Sequence, residues 1–177
     1  CVLWSLTKTL YEPSSETSVL DLKLETVFLL TLALARRRSE IYALSIDSGC
    51  LRFNGNCDSV SLLCQPGFLA KNQLPSVAPL PIEIPSLSKI CAWDDQHRLL
   101  FPMCAPHYYL NNVSKAKGKD RKCLYLPIKG SIGIATASIS RWIVKTMKQA
   151  YVSLTDKDLT FLKIKAHEVQ AVDTNFL

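Results

Sequence analysis

Apolar and polar positions alternate along this chain with two different periods, and each change of period marks a change of element. Residues 1 to 16 close on the polar patch Glu12-Pro13-Ser14-Ser15, which reads as the tail of a preceding segment or a linker. Ser18 stands where a helix cap is needed. Apolar residues follow at 19, 20, 22, 24, 27 and 28 and then at nearly every position to 35, the pattern of a helix buried progressively deeper. Ser39 to Leu44 predicts a second, short helix.

From Ile46 the period falls to two. Leu51-Arg52-Phe53 is strand-like, Asn54, Gly55 and Asn56 are turn residues, and Val60, Leu62 and Cys64 alternate with Ser59 and Ser61 as in a half-buried strand. Pro66-Gly67 ends that run. Val77 to Ile84 resumes it, and the flanking prolines at 75, 79, 81 and 85 predict an edge strand. These segments add up to a small antiparallel sheet of three strands.

Helical spacing then returns. Met103 to Leu110 predicts a short aromatic helix, Val113 to Lys122 a basic loop, and Leu124 to Leu126 a short strand. Ser138 to Leu154 predicts a helix with Ile139, Trp142, Ile143, Thr146, Met147 and Ala150 on its inner face. A short helix from Thr155 and a last one from Lys165 to Phe176 complete the pattern. The expected fold is mainly α with a small three-stranded antiparallel sheet, one domain over residues 17 to 177.

Composition narrows the partners. The 177 residues are 48% hydrophobic and 20% charged, enough apolar surface for one packed core. A net charge of +6 favours polyanions as partners and says nothing about the fold. The run Val27 to Ala35 is nine residues long, far short of the roughly 20 that a membrane-spanning helix needs, and no signal peptide is evident. Seven scattered cysteines without a CxxC pair read as free thiols of a reducing compartment. Cys91, His97, Cys104 and His107 are conceivable zinc ligands, but their spacing is unlike the tight pairs of structural zinc, so no metal is expected.

Two segments carry candidate chemistry. Leu34-Ala35-Arg36-Arg37-Arg38-Ser39-Glu40-Ile41 resembles the first catalytic box of tyrosine recombinases, in which an apolar helix ends and an arginine precedes Ser-Glu-Leu by one residue. Lys165-Ala166-His167-Glu168-Val169-Gln170 resembles that family's His-x-x-Arg box. The boxes lie about 130 residues apart with a small sheet between them. The phrases Val60 to Leu63, Phe68 to Gln73 and Ile139 to Ile143 are similar to recombinases of animal mobile elements of the DIRS and Crypton kinds.

The resemblance implies the catalytic domain of a DNA breaking-rejoining enzyme. Arg37 would be the first arginine, a planar fork of donors for the charge that gathers on a phosphodiester under attack. Lys71, on the turn between the second and third strands, would protonate the leaving oxygen, and His167 would assist proton movement. Arg36 and Arg38 flank the first arginine, and either is an alternative for facing the phosphate. Lys115, Lys117, Lys119, Arg121, Lys122 and Arg141 would touch the DNA backbone. The family needs no cofactor, acts on duplex DNA in the nucleus, and works as a homo-oligomer in a synaptic complex.

Two departures matter. Gln170 stands where the second arginine belongs, a loss of roughly 3 kcal/mol of transition-state stabilisation, or about 10²-fold in rate. No tyrosine follows His167, so the nucleophile of the family is absent from these 177 residues. The chain opens on Cys1 and closes at Leu177 within a helical pattern, and the expectation is a C-terminally truncated, inactive relative that binds duplex DNA weakly and with strong salt dependence. A non-catalytic DNA-binding module and an interaction scaffold built on the same fold are the alternatives.

Overall fold

The computed structural model describes residues 17–47, 49–55, 59–71, 73–77, 79–86, 102–116, 123–125 and 134–154, with backbone alone at 114–116 and 151–154. Among them are four helices and one three-stranded antiparallel sheet. Helix α1 (Val19–Leu34) is the centre of the domain. Ser18 caps it: its backbone is extended, and its Oγ accepts from the Asp21 N–H at 3.1 Å. Asp21 also puts a carboxylate in the first turn, where the helix dipole favours it.

Every residue from Leu22 to Thr31 is buried, so α1 is covered on all sides, as its apolar sequence requires. The polar residues inside this stretch are accommodated locally. Thr26 and Thr31 donate to the carbonyls of Leu22 and Val27, each at 2.7 Å. Lys23 lays its ammonium 4.5 Å from the centroid of the Trp142 ring, an attraction that desolvation strengthens.

Burial does not deepen to residue 35 as the sequence pattern predicts. It stops at Thr31, and Ala33 and Ala35 are exposed. The last turn of α1 leaves the core because the chain must turn there. Ala35 makes that turn in the left-handed region at φ 46°, where a Cβ is unfavourable. Ala35→Gly is therefore expected to raise the melting temperature by about 2 °C, since roughly 0.5–1 kcal/mol of local strain is removed. Differential scanning calorimetry reads this directly, and a lowered melting temperature would show the turn to be unstrained.

Helix α2 (Arg38–Tyr42) follows at once and packs on α4 (Thr136–Leu154). Helices α3 (Cys104–Ala116) and α4 both pack against α1. The inner face of α4 is the one its spacing predicts: Ile139, Trp142, Ile143, Thr146 and Ala150 are buried. Helix α3 is longer than expected. It runs through Val113 to Ala116, where a basic loop is predicted, because alanine and lysine are good helix formers. Pro106 is tolerated in its first turn, where no N–H is needed. Lys115 thus sits on a helix; Lys117, Lys119, Arg121 and Lys122 lie outside the described residues, as do the two C-terminal helical patterns and residues 1–16.

Strands β1 (Leu51–Phe53), β2 (Ser59–Leu62) and β3 (Ile82–Pro85) pair in that order. The register sets Leu51 opposite Leu62, Phe53 opposite Val60, and Val60 opposite Ile84. One sheet face therefore joins the core through Val60, Leu62 and Ile84, while Arg52, Ser61 and Glu83 share the other. Phe53 meets the His107 ring of α3 edge-on at 5.2 Å. Strand β3 is shorter than predicted: Pro79 and Pro81 supply no N–H to a ladder, so residues 77 and 79–81 remain loop. Leu124 and Tyr125 form no strand, although Cys123 bridges Ser45; both are core residues instead.

Candidate nucleic-acid interface

The short stretch after α2 ties it to the sheet. The Ser45 N–H donates to the Leu63 carbonyl at 3.1 Å and the Gln65 N–H to the Ala43 carbonyl at 2.8 Å, beside an antiparallel bridge between Leu44 and Cys64. These bonds fix the end of β2, where the β2–β3 connection departs, against the end of α2. Arg36, Arg37 and Glu40 thereby share an open cleft of about 520 Å³ with Cys64, Phe68, Lys71 and Ile82.

Arg36, Arg37 and Lys71 line this cleft together with Glu40 and Cys64. Arg37 and Lys71 are 34 positions apart in sequence and meet only through the fold. Arg37 is the residue that starts α2, and its backbone is extended. Glu40, three residues on, accepts from the Arg37 N–H at 3.1 Å and from Arg36 Nη1 at 3.3 Å. The one carboxylate among the described residues of the cleft is thus engaged by the arginine segment itself. Among the described residues neither Arg37 nor Lys71 is in an ion pair.

Glu40 positions the arginines, a role that its place three residues after Arg37 signals, since that is where a capping carboxylate reaches back to the helix start. Glu40→Ala should lower stability by about 1 kcal/mol in urea unfolding, mostly through the lost helix-start contact, because the exposed ion pair contributes little. Glu40→Gln keeps an acceptor and should recover at least half of that loss. Equal losses for both variants would assign the effect to the ion pair.

The Lys71 side of the cleft is a loop stapled by Gln73. Its side-chain oxygen accepts from the Ala70 N–H at 3.2 Å, and its amide donates to the Val77 carbonyl at 3.2 Å. No local sequence signal marks Gln73, because both partners depend on the loop's path. The thiol of Cys64 is pushed up to about 11 by burial first and by the Glu40 carboxylate next, against an opposing pull from Arg36. It remains neutral and donates weakly to the Glu40 carbonyl at 3.7 Å, adding no negative charge to the cleft.

The remaining candidates fall elsewhere. Arg38 turns towards α4 and donates to Ser140 Oγ at 3.3 Å, outside the cleft. Arg141 lies exposed on α4 and donates to Ser138 Oγ at 3.1 Å. His167 and Gln170 lie outside the described residues, as do Cys91 and His97. Cys104 and His107 are on α3, and no group of three metal-ligating side chains occurs among the described residues. No described tyrosine side chain lines the cleft; Tyr109 and Tyr125 are core residues, and burial holds the Tyr125 hydroxyl well above its ordinary value. No described helix is long and apolar enough to cross a membrane. Comparison of the chain with protein-family models, with curated proteins and with solved structures gives no match.

Proposed function

We propose that this chain binds duplex DNA through a backbone phosphate held between Arg37 and Lys71, as a recombinase-like domain that does not itself cut the strand. The observation that carries this reading is the meeting of those two cations, from distant segments, at one cleft with no carboxylate partner among the described residues. A guanidinium offers paired donors to the two non-bridging oxygens, and an ammonium on the opposite loop contributes a point charge to the same group. Arg36 adds to the field, although Glu40 offsets part of it.

This arrangement also fits the roles that the resemblance to tyrosine recombinases implies for Arg37 and Lys71, with His167 as a third partner and the nucleus as the place of action. Cleavage would need a nucleophile, and the 177 residues hold no tyrosine after His167. Binding by these 177 residues calls for neither metal nor nucleotide cofactor.

Fluorescence anisotropy on a labelled duplex of about 20 bp tests the reading. The logarithm of the binding constant should fall against the logarithm of salt with a slope near −2, about 0.9 for each of two phosphates, the one shared by Arg37 and Lys71 and a neighbouring one in the field of Arg36. A nicked suicide duplex should give no covalent adduct. Absence of binding at about 50 mM salt, or a flat salt response, would sink the proposal and leave the scaffold reading.

A further inference from the structure

Beside the cations the lining of the cleft is apolar. Phe68, Val77, Leu80 and Ile82 line the same cleft as Arg37 and Lys71. Leu80 is 83% exposed and Val77 52% exposed, although an aliphatic side chain beside a polar loop gains nothing from contact with water. An exposed apolar strip next to a cluster of cations is the mark of a surface that receives something amphipathic. Gln73 holds the loop from Ala70 to Val77 in shape, so this wall is formed before any ligand arrives.

The backbone of a continuous duplex brings phosphates and sugars to such a cleft, because the faces of its bases are stacked inside and only their edges reach the grooves. Its backbone would use the cations and leave the aliphatic wall wet. The cleft volume of about 520 Å³ falls within the range of about 300–1,000 Å³ typical of sites that enclose a small organic group. A nucleotide whose base has left the stack joins the two features, with an anionic phosphate at one end and a flat, poorly hydrated face at the other.

We infer that the cleft is a site for one unpaired nucleotide of a DNA strand, with its phosphate on Arg37 and Lys71 and its base against Phe68, Val77, Leu80 and Ile82. This rests on the DNA-binding reading above and adds a substrate class to it: duplexes carrying an extrahelical, flapped or frayed nucleotide, in preference to intact ones. Stacking on a protein wall is tolerant of base identity, since every base has the same kind of face. The preference therefore concerns structure and not sequence.

The test uses the 177-residue chain and three labelled duplexes of equal length: one intact, one with a single extrahelical thymidine, and one with an abasic unit at that position. The thymidine-bulged duplex should bind about tenfold more tightly than the intact one, the scale of one base stacked on a protein side chain. The abasic duplex should bind like the intact one. Leu80→Ser should reduce the preference to below about threefold, whereas Leu74→Ser, exposed on the same loop but outside the cleft, should keep both the preference and the parent's affinity for the intact duplex.

Equal, salt-dependent binding of intact and bulged duplexes by the wild-type chain would overturn the inference and leave the binding proposal standing. So would a preference that survives the abasic substitution or Leu80→Ser, because the advantage would then come from an easier bend in the DNA. Absence of binding to all three would remove both readings. Tight binding of free thymidine monophosphate in the absence of DNA binding would make the cleft a small-molecule site and overturn both.

Discussion

Replacing Arg37 and Lys71 together by alanine should weaken duplex binding about 100-fold while the melting temperature stays within about 1 °C of the parent. Each side chain gives up a charge-assisted contact of roughly 1.5 kcal/mol, and 1.4 kcal/mol is a factor of ten. The two contacts share one phosphate, so the single variants should sum to more than the double. The salt slope should flatten by about 1, the share of the one phosphate that the two residues hold, a change that general damage to the fold would not produce. Stability should hold because both residues are exposed and neither is in an ion pair among the described residues. A double variant that binds like the parent would place the DNA elsewhere, with Arg38 and Arg141 beside α4 as the next surface to probe.

The second large effect is on the fold. Leu30 is fully buried in the middle of α1 and belongs to the main core cluster. Leu30→Ala should cost about 3 kcal/mol, the sum of lost apolar transfer and the cavity left between rigid elements. That is a large share of the roughly 5–15 kcal/mol that holds a domain of this size together. Urea unfolding should show a lower midpoint with an unchanged slope. Leu34, half-buried at the emerging end of the same helix, should cost only about 1 kcal/mol on the same change. Similar losses at both positions would contradict the burial profile of α1.

The elements that the sequence announces are those with one dominant local cause. Leu22 to Thr31 is apolar enough to demand burial on every side, Ser18 is a capping residue in a capping position, and Val60 and Leu62 alternate with serines. The inner face of α4 follows from spacing alone. Misreadings occur where two local tendencies compete. Lysine and alanine at 115 and 116 serve a helix end or a basic loop equally well, and burial of Val113 with α3 against α1 favours the helix. Val77 and Leu80 carry strand-forming character, yet the adjoining prolines deny them a ladder and leave them on the cleft wall.

The cleft itself was only half legible. The first box singles out Arg37, and the resemblance alone singles out Lys71; neither implies an apolar wall between the strands. Glu40 could have been found from its spacing. Gln73 could not, since its partners Ala70 and Val77 are brought to it by the path of the loop. The choice among Arg36, Arg37 and Arg38 is a matter of side-chain direction, set by Glu40 on one side and Ser140 on the other.

The two sides of the cleft differ in how they can open. Arg37 leads directly into α2, whose Ile41 is buried in the core, so that side of the cleft is anchored to the part of the fold that opens last. Lys71, Val77 and Leu80 hang on a loop held by turn hydrogen bonds and by the Gln73 side chain, with its apolar residues exposed, and such a segment opens locally before the core does. The binding surface therefore works as a fixed jaw and a hinged one: amide hydrogens near Ile41 should exchange over the lifetime of the whole fold, those near Gln73 orders of magnitude faster, and a bound nucleotide should slow only the second set.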